Sequence, residues 1–410
     1  MIDAIKKIKA FSFSVYHWLM SFFGALFYGF PSRKIKVIGV TGTKGKSTTL
    51  AILSDIFERA GMKTAFISSV DVKMGDKISK NTTGNSMPGR FFIQKFLSDS
   101  VIKGCQVALV EVTSQGVVQH RHRFIFWDGA VFLDIHPEHI ESHGSFEKYL
   151  QAKLSFFEYA SSAFDSKVPK FFINTEDKHS EEFIRAAKNF PVIRFNRNSM
   201  DIFKIKLPQA LSADFMKTNI SAAAVVAENF GISAKDIKNA IEDFKGVEGR
   251  METVIKNPFL AIVDYAHTPD SLEAVYGHLK EKKIKGSRLI CVLGSAGGGR
   301  DKWKRPKMGE VAASYCDRII LTNEDPYEEN PSDIINEIKS GILNKKFSEK
   351  NLFEIIDRKE AIKKAISLAH KSDTIICTGK GSEEFIHIKN GEKIKWSDRK
   401  AILEAFEENK

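Results

Sequence analysis

Residues 37–49, VIGVTGTKGKSTT, carry the clearest sign of chemistry in this sequence of 410 residues. Gly42 and Gly45 allow a turn whose backbone N–H groups point at an anion, and the following helix adds partial positive charge at its N-terminus. Lys46 can reach the terminal phosphates of a nucleotide, and the Ser47 hydroxyl can bind Mg²⁺. The segment therefore predicts a P-loop that binds ATP or GTP.

A second chemical feature is a carboxylate at the end of an apolar strand, followed by a histidine-rich segment. Glu111 ends QVALVEV near the P-loop, a typical position for a Mg²⁺ ligand, although a solvated strand end is the alternative. Residues 134–144, DIHPEHIESHG, contain His136, His139 and His143. The spacing of the last two could bind zinc, but no H-E-x-x-H motif is present. Because Mg²⁺ prefers oxygen, a mixed site with one histidine ranks above zinc hydrolysis.

Two further features are ambiguous from residue types alone. Residues 81–88, NTTGNSMP, form a polar loop before a helix. The Thr82 and Thr83 hydroxyls could bind a substrate there, and an ordinary surface loop is equally compatible. Lys153 lies in the apolar helix turn YLQAKLSFF, where a lysine usually extends its amine to water or pairs with a carboxylate. A buried lysine with a lowered pKa can also be chemically modified, which spacing does not reveal.

The second half of the chain repeats the pattern of polar loops after apolar strands. The loops are VDYAHTPDSLE at residues 263–273, GSAGGGRDKWKRP at 294–306, TNEDP at 322–326 and TGKGSEE at 378–384. The glycine-rich loop carries Arg300 and Lys304, which suit phosphate or carboxylate binding. Since ligands bind at the carboxyl ends of strands in open α/β sheets, these loops predict a large cleft between two domains.

The elements that must position these residues alternate between strands and helices. Strands are predicted at residues 35–40, 64–68, 107–111, 129–134, 170–173, 192–195, 261–264, 288–293, 318–321 and 374–377. The pattern predicts an α/β fold, with a central P-loop ATPase domain on a mostly parallel sheet and a smaller C-terminal Rossmann-like α/β domain. The expected divisions are an apolar helical segment at 1–34, the central ATP-binding domain at 35–247 and the C-terminal domain at 248–410.

Residues 11–30, FSFSVYHWLMSFFGALFYGF, form an apolar and aromatic run with basic residues on both sides. The run could span a bilayer, and the lysines before it resemble the start of a signal peptide. The P-loop strand begins soon after Pro31, which leaves no room for a cleaved leader. Three alternatives remain: a helix packed on the domain, an interfacial membrane helix and a true span. His17 and three serines weaken the span, so a helix that docks on the protein or lies at the inner membrane surface is favoured.

Composition sets broad limits. The chain is 43% hydrophobic and 28% charged, which suits a globular protein of two or three domains. Its net charge of +11 would attract polyanionic small molecules. Without a recognisable nucleic-acid module, no nucleic-acid partner is expected. Cys105, Cys291, Cys316 and Cys377 are far apart in or beside apolar stretches, which predicts four buried free thiols in a reducing compartment.

Taken together, these segments resemble the Mur ligase family from about residue 36 to the C-terminus. The segments that carry the resemblance are TGTKGKSTT, NTTG, EVTSQGVVQHR, EHIESHG followed by Ala152 and Lys153, GRME, DYAHTPDSLE, GGGRDKWKRP, GKGSEE and WSDRK. NTTG and DYAHTPDSLE favour the tripeptide-synthetase branch over folylpolyglutamate and cyanophycin-type ligases. The resemblance implies an ATP-dependent ligase of peptidoglycan precursor synthesis. It would add an amino acid, expected to be a diamino acid, to a UDP-N-acetylmuramoyl-dipeptide-like acceptor through an acyl phosphate.

The resemblance also implies roles for individual residues. Those matched to the nucleotide are Gly42, Thr43, Lys44, Gly45, Lys46, Ser47, Thr48, Asn219, Arg250, Asp264 and His267. Those matched to the acceptor or the amino acid are Thr82, Thr83, Ser114, Arg121, Arg300, Lys304, Asp325 and Glu383. The implied metal ligands are Ser47, Glu111, His139 and a carbamylated Lys153, and the implied catalytic set is Lys46, Glu111, His139 and Lys153. The implied cofactors are ATP and two Mg²⁺ ions, and the partners are small-molecule substrates.

Several positions depart from the family pattern. Gln115 replaces the histidine of S-S-H, Glu138 replaces an aspartate, and Ser382 replaces the histidine of G-K-G-H-E. Tyr327 stands where an arginine would hold the carboxylate of diaminopimelate, so lysine, diaminopimelate and other amino acids stay open. Residues 1–34 stand in place of the domain that grips UDP in typical members. A lipid-linked acceptor and a catalytically silent nucleotide-binding homologue are therefore alternatives.

Overall fold

The structure, a computed structural model, describes residues 2–81, 83, 85–137, 143–162, 167–208, 211–299 and 301–409, with the backbone alone for residues 2–11 and 90. Three residues predicted to form the site, Thr82, His139 and Arg300, lie outside the described residues. The chain divides into two units, Met1–Phe244 and Lys245–Lys410.

An eight-stranded sheet forms the centre of the N-terminal unit. Its strands are β1 (Lys36–Thr41), β2 (Thr64–Ile67), β3 (Asp71–Met74), β4 (Lys77–Lys80), β5 (Val107–Glu111), β6 (Gly129–Phe132), β7 (Lys170–Asn174) and β8 (Val192–Phe195). They are ordered β4-β3-β2-β5-β1-β6-β7-β8. The pairings from β2 through β5, β1, β6 and β7 to β8 are parallel. The strand before the P-loop therefore lies inside the sheet, between β5 and β6.

Helices cover this sheet, and their packing accounts for its apolar strands. They are α1 (Ile2–Phe27), α2 (Lys46–Arg59), α3 (Arg90–Ile102), α4 (Ser114–Val118), α5 (Phe146–Ala160), α6 (Ser180–Ala186), α7 (Lys217–Asn229) and α8 (Ala234–Glu242). Every residue of β1 after Lys36 is buried, as a parallel strand covered on both faces requires. Ser233 caps the start of α8, since its side chain accepts a hydrogen bond from the Asp236 N–H.

The β3–β4 hairpin was not predicted from the sequence. The two four-residue strands pair antiparallel at one edge of the sheet, and Gly75 takes a φ of +62° in their turn. Their charged residues conceal the period-two pattern that marks a strand. Lys73 nevertheless points inward, where its ammonium lies 2.6 Å from the Glu58 carboxylate. Pairing with a partly buried carboxylate allows this lysine to occupy an inner position.

The N-terminal apolar segment forms α1, which packs on the rest of its unit. Trp18 and Phe22 place their rings edge-on to Phe124, with centroids 5.1 and 5.3 Å away. The Ser14 hydroxyl lies 2.8 Å from His120 Nε2, and the Ser21 hydroxyl donates to the His120 carbonyl oxygen. Among the described residues, no helix is long and apolar enough to cross a membrane. α1 is therefore a helix packed on its own unit, and one of its sides stays exposed.

The C-terminal unit holds a six-stranded sheet of Rossmann-like type. Its strands are β9 (Glu252–Ile255), β10 (Leu260–Asp264), β11 (Leu289–Leu293), β12 (Arg318–Leu321), β13 (Leu352–Glu354) and β14 (Thr374–Thr378), ordered β13-β12-β11-β14-β10-β9. Only β9 pairs antiparallel within this sheet. A separate hairpin joins β15 (Phe385–His387) and β16 (Lys393–Lys395). The helices are α9 (Pro269–Lys282), α10 (Lys304–Tyr315), α11 (Pro331–Asn344), α12 (Arg358–Leu368) and α13 (Asp398–Glu408).

The prediction of four free thiols is wrong for two of the cysteines. Cys291 and Cys316 form a disulfide, whereas Cys105 and Cys377 are free and buried. Cys291 lies in β11, and Cys316 directly follows α10, the helix that returns the chain to the neighbouring strand β12. This connection brings residues 25 positions apart into contact. The absence of a C-x-x-C motif does not exclude a pair formed through a crossover of this kind.

Candidate active site

The P-loop follows the predicted strand–turn–helix geometry. β1 ends at Thr41, α2 begins at Lys46, and Gly45 between them has a φ of +79°. Glycine is favoured there because a side chain is strained at positive φ. A Cβ at this position would also collide with the Asn219 side-chain oxygen. Asn219, predicted to lie near the nucleotide, is therefore packed directly against the loop.

Lys46 and Thr48 stand in the first turn of α2. The Lys46 ammonium folds back over the loop and donates to the carbonyl oxygens of Gly42 and Thr43, at 2.9 Å each. This position holds a positive charge above the turn, where the phosphates of a nucleotide would bind. Thr48 is buried beneath the turn.

Asp134 is a functional candidate that sequence reasoning missed. One of its carboxylate oxygens accepts hydrogen bonds from the backbone N–H groups of Thr43 and Lys44, at 2.6 and 3.0 Å. Such N–H groups are the ones that a P-loop presents to phosphate. An anionic side chain on them shows that the loop is arranged for negative charge. The sequence signal for Asp134 was its position two residues after β6, and polar residues are common at the ends of strands.

Glu111 and Ser47 form the polar centre beside the loop. Glu111 ends β5 and is 2% exposed. The Ser47 hydroxyl donates to its carboxylate at 2.8 Å, and the Ser69 backbone N–H donates to the same oxygen at 3.0 Å. Ser69, whose hydroxyl lies 2.9 Å from that of Ser47, was not predicted to belong to the site.

Lys153 lies on α5, and its amine reaches the P-loop at the same Gly42 carbonyl oxygen that Lys46 contacts. It is 2% exposed, and its amine donates to the Gly42 carbonyl oxygen at 2.8 Å. The amine also lies 4.9 Å from the centre of the Tyr149 ring, whose hydroxyl is 3.0 Å from that of Thr43. The apolar helix thus delivers its lysine to the loop, with the amine buried and not extended to water.

The donor set at Glu111 fits magnesium better than zinc. Within the part of the chain that the structure describes, no group of three or more His, Cys, Asp and Glu side chains could hold a metal ion. One buried carboxylate and the Ser47 hydroxyl leave room for water and phosphate oxygens, which Mg²⁺ in nucleotide enzymes prefers. Glu111 and Ser47 are the described residues that could hold such an ion.

The loop predicted to bind the acceptor is tied to this centre. The Asn81 amide donates to the Ser68 carbonyl oxygen at 2.6 Å, directly before Ser69. The Thr83 hydroxyl, on the exposed side, donates to the Asn81 side-chain oxygen at 2.6 Å. The loop therefore presents its polar groups next to the residues that contact Glu111.

Arg121 and Ser114 border the same region. The Arg121 guanidinium donates to the Met87 carbonyl oxygen, at the end of the loop, and to the Gln119 side chain at 2.6 Å. The Ser114 hydroxyl lies 3.0 Å from His143 Nε2. The structure thus brings Arg121 to the end of the acceptor loop, and it places Ser114 beside His143, which the family resemblance did not single out.

In the C-terminal unit, Asp264 ends β10 and is fully enclosed. Its two carboxylate oxygens accept hydrogen bonds from the N–H groups of Met251 and Ala266, both at 2.7 Å. Burial raises the pKa of this carboxyl group, and the nearby Arg250 guanidinium partly offsets the effect. Arg250 also stacks over the Tyr265 ring at 4.1 Å. These contacts place Arg250 and Asp264 in one cluster.

His267 is beside that cluster. Its Nδ1 lies 2.9 Å from the Tyr265 carbonyl oxygen, and the two rings are in edge contact at 4.8 Å. The Tyr265 hydroxyl donates to the Glu383 carboxylate at 3.2 Å. This phenol therefore joins the residues predicted for the nucleotide to one predicted for the amino acid.

Lys380 organises two carboxylates that were predicted to contact substrate. Its buried ammonium donates to Asp325 at 2.8 Å and to Glu383 at 2.7 Å. Asp325 also accepts from the His387 N–H at 2.8 Å. The sequence indicated Lys380 only as part of the segment TGKGSEE, because its partner Asp325 is 55 residues away.

Tyr327, at the position of the family's arginine, forms an aromatic wall. Its ring stacks on His387 with centroids 5.2 Å apart, and its N–H donates to the His387 carbonyl oxygen. A Cβ on Gly298, from the glycine-rich loop, would meet the same ring at 3.3 Å. The glycine-rich loop and the TNEDP loop therefore meet here, next to Asp325.

Beyond the glycine-rich loop, the start of α10 is anchored by charge. The buried Arg305 guanidinium contacts the carboxylates of Glu329 and Glu337, at 3.0 and 2.9 Å. The hydrogen bond from Arg305 lowers the pKa of Glu329 to about 2. Lys304, predicted to bind substrate, is buried in the same first turn.

Comparison with known proteins gives independent information. Residues 40–237 match the Mur ligase middle domain, and residues 249–381 match the Mur ligase glutamate ligase domain. A relative from Borreliella burgdorferi named UDP-N-acetylmuramyl-tripeptide synthetase is 36% identical over 98% of this chain and 82% of its own length. A relative from Halalkalibacterium halodurans, named UDP-N-acetylmuramoyl-L-alanyl-D-glutamate–2,6-diaminopimelate ligase, is 33% identical over 93% and 80%.

Solved structures agree at the level of fold. A structure of UDP-N-acetylmuramoyl-L-alanyl-D-glutamate–2,6-diaminopimelate ligase is 26% identical, with a TM-score of 0.61, and covers 91% of this chain and 78% of that one. Escherichia coli FolC, solved with DHPP and ADP, has a TM-score of 0.62 at 19% identity over 88% of this chain and 89% of its own. The second similarity shows a shared fold only.

Proposed function

Because this chain belongs to the Mur ligase family, we propose that it adds an amino acid to a UDP-N-acetylmuramoyl-dipeptide-like acceptor in peptidoglycan precursor synthesis. It is an ATP-dependent ligase that forms an amide bond. The observation that carries the proposal is the convergence of Lys46, Ser47, Glu111 and Lys153 on one P-loop, beside a polar loop suited to an acceptor.

The reaction has two steps. An acceptor carboxylate oxygen attacks the γ-phosphorus of ATP, the bond to the β-phosphate oxygen breaks, and ADP leaves with its electron pair. The amine of the amino acid then attacks the carbon of the acyl phosphate, phosphate leaves from the tetrahedral intermediate, and the amine proton passes to solvent. No nucleophilic side chain is needed, so the protein acts by positioning groups and neutralising charge.

The P-loop side chains act on the phosphates. The N–H groups of residues 42–45 would hold phosphate oxygens, and Lys46 would move from the carbonyl oxygens of Gly42 and Thr43 to the terminal phosphate. Asn219, packed on Gly45, would support the loop while it binds phosphate. A phosphate oxygen would replace the Asp134 carboxylate as the acceptor of hydrogen bonds from the Thr43 and Lys44 N–H groups.

Ser47 and Glu111 would hold Mg²⁺. When bound, Mg²⁺ neutralises the negative charge that develops on the phosphates. The hydroxyl and the carboxylate, 2.8 Å apart, are oriented by the Ser69 N–H. His139 stays a predicted ligand by resemblance, since it lies outside the described residues.

Lys153 would take part as a carbamate. Its neutral amine attacks CO₂, a nitrogen–carbon bond forms, and the proton leaves to solvent, which turns a cation into an anion. Its buried amine lies directly beside the P-loop, where a carboxylate-like group could hold a second Mg²⁺.

The amino acid would bind in the C-terminal unit, and a diamino acid fits best. Asp325 and Glu383 supply negative charge for an ammonium group, while Tyr327 and His387 offer an aromatic surface for a carbon chain. Lys304 and Arg300 would complement the carboxylate of the amino acid.

The enzyme would work in the cytoplasm, where ATP and nucleotide-linked precursors are available. We place it at the inner face of the membrane, through the apolar helix α1.

An ADP-release assay tests the function. UDP-N-acetylmuramoyl-dipeptide is offered with a panel containing lysine, diaminopimelate, ornithine and glycine, and the product is identified by mass spectrometry. We expect ADP release that needs both substrates and is lost in Lys46→Ala. If no amino acid supports release with this acceptor, the proposed acceptor is wrong.

A further inference from the structure

The outward side of α1 presents large apolar side chains to solvent. The exposed fraction is 75% for Phe27, 53% for Leu26, 51% for Tyr16 and 46% for Phe23. Single exposed apolar residues are common on proteins, but a contiguous set of aromatic and aliphatic side chains marks a surface that binds something.

These residues form a stripe along the helix. Tyr16, Leu19, Phe23 and Leu26 are spaced by three or four positions, so their side chains follow one line on the helix surface. The opposite line is docked, since Ser21 is buried and donates to the His120 carbonyl oxygen. The exposed stripe, defined as these four residues with Phe27, therefore faces away from the docked side of α1.

The charges on either side of the exposed stripe indicate which kind of partner it would bind. Residues 1–36 contain six basic residues and one acidic residue, Asp3. Three lysines precede the stripe, and Arg33, Lys34 and Lys36 follow it with exposed side chains. Two copies of α1 that paired along the stripe would bring these like charges together. An anionic phospholipid surface instead satisfies both the apolar stripe and the basic ends.

We propose that α1 lies in the plane of an anionic membrane surface, with the exposed stripe among the lipid headgroups and upper acyl chains. Within the described part of the chain no helix is apolar enough to cross a membrane, but a helix can bury one apolar face in the interface without crossing it. The docked face keeps α1 fixed to the protein, through the Ser14–His120 hydrogen bond and the rings of Trp18 and Phe22 on Phe124.

Membrane binding would orient the acceptor loop. His120, held by α1, precedes Arg121, whose guanidinium donates to the Met87 carbonyl oxygen at the end of residues 81–88. Phe27 of α1 also contacts Phe91 in α3, which follows that loop. The acceptor loop is thus close to α1, and an acceptor bound there would be presented near the bilayer. This consequence rests on the proposed function, whereas binding of α1 to lipid does not.

Vesicle sedimentation of the full chain tests the proposal. The probes are vesicles of phosphatidylcholine alone and of phosphatidylcholine mixed with phosphatidylglycerol. We expect the wild type to sediment with the anionic vesicles, and binding to weaken with neutral vesicles or added salt. The double variant Phe23→Glu with Leu26→Glu should bind at least about tenfold more weakly, because each buried side chain contributes that order of affinity.

Two controls keep the outcomes distinct. Ile202→Glu, a substitution at an exposed apolar residue of the same unit away from α1, should bind like the wild type. The double variant should keep its circular dichroism spectrum and its ADP release with soluble substrates. If the wild type itself releases no ADP, that result contradicts the proposed function and leaves the proposal for α1 standing. The proposal is overturned if the wild type does not bind anionic vesicles, or if the double variant binds them as tightly as the wild type. A concentration-dependent dimer that the double variant abolishes would assign the stripe to a second copy and overturn it as well.

Discussion

The Ser47 hydroxyl donates a 2.8 Å hydrogen bond to the Glu111 carboxylate and so joins the first turn of α2 to the end of β5. The two residues are 64 positions apart, yet the parallel pairing of β1 with β5 brings them to the same edge of the sheet. A hydroxyl and a buried carboxylate next to a P-loop form an oxygen site for a hard cation.

Glu111→Gln should therefore weaken the binding of Mg²⁺. The amide keeps the shape of the side chain but removes the charge that attracts Mg²⁺, so ADP release should fall by about two orders of magnitude and need more Mg²⁺. Magnesium titration of the initial rate measures this effect. Asp76→Asn, which removes a fully exposed carboxylate at the β3–β4 turn, is the matched control and should titrate like the wild type. Equal titrations for Glu111→Gln and the wild type would remove Glu111 from the metal site.

Gly45→Ala should abolish nucleotide binding because the loop has no room for a methyl group. A Cβ at Gly45 meets the Asn219 side-chain oxygen, and the positive φ adds strain of about 1–2 kcal/mol. Gly61→Ala is a matched control, since Gly61 has the same φ of +79° with nothing within 4 Å of the added carbon. We expect Gly61→Ala to lower thermal stability modestly and to bind ATP normally.

A second substitution separates collision from strain. Asn219→Ala combined with Gly45→Ala removes the collision and leaves the strain, so it should recover part of the nucleotide affinity measured by titration calorimetry. If Gly45→Ala binds ATP as tightly as Gly61→Ala, the close approach of Asn219 to the loop does not matter for binding.

The sequence was sufficient for much of this fold because its strongest signals are local. The apolar run at residues 107–111 predicts β5 with the observed ends, and GKS after β1 predicts the start of α2. The β3–β4 hairpin was missed because its charged residues, such as Lys73, gain their inner positions only from a distant partner. Local patterns do not contain that information.

The candidate site divides in the same way. Spacing within a motif identified Lys46 and Ser47, whereas Lys153 needed the family resemblance before it was treated as functional. Asp134 and Lys380 were missed because their partners, Thr43 and Asp325, are 91 and 55 residues away. Only the folded sheet shows which strand ends share a neighbourhood.

Lys153→Arg tests the carbamate. Arginine keeps the positive charge and much of the length but does not form a carbamate, so activity should fall about as far as in Lys153→Ala. Wild-type activity should also fall when CO₂ and bicarbonate are removed and return when bicarbonate is added. Lys148→Arg, on the exposed side of the same helix, should be unaffected and bicarbonate-dependent like the wild type. If Lys153→Arg stays active, or bicarbonate has no effect, the carbamate is excluded.

Glu329 should make the C-terminal unit sensitive to acid. The hydrogen bond from Arg305 holds the pKa of Glu329 at about 2, below its ordinary value of 4.5. A lowered pKa means that the charged carboxylate stabilises the fold above pH 4.5, and this stabilisation is lost as the pH falls towards about 2. Glu329→Gln should lack this stabilisation at neutral pH. Its free energy of unfolding should therefore change less than that of the wild type between pH 4.5 and about 2. Hydrogen exchange of amides in α10 and α11 measures it, and Glu392→Gln, at an exposed residue, should keep the wild-type profile.

Tyr327→Arg should change the choice of amino acid. The Tyr327 ring stacks on His387, whose N–H donates to Asp325. The family resemblance implies an arginine at this position, where it would hold a distal carboxylate. A guanidinium there would pair with such a carboxylate, so the ratio of kcat/KM for diaminopimelate to that for lysine should rise about tenfold or more. Tyr327→Phe keeps the aromatic wall without adding charge and should leave the ratio unchanged. If the arginine variant lowers kcat/KM for both amino acids equally, Tyr327 supports the loop without selecting the substrate.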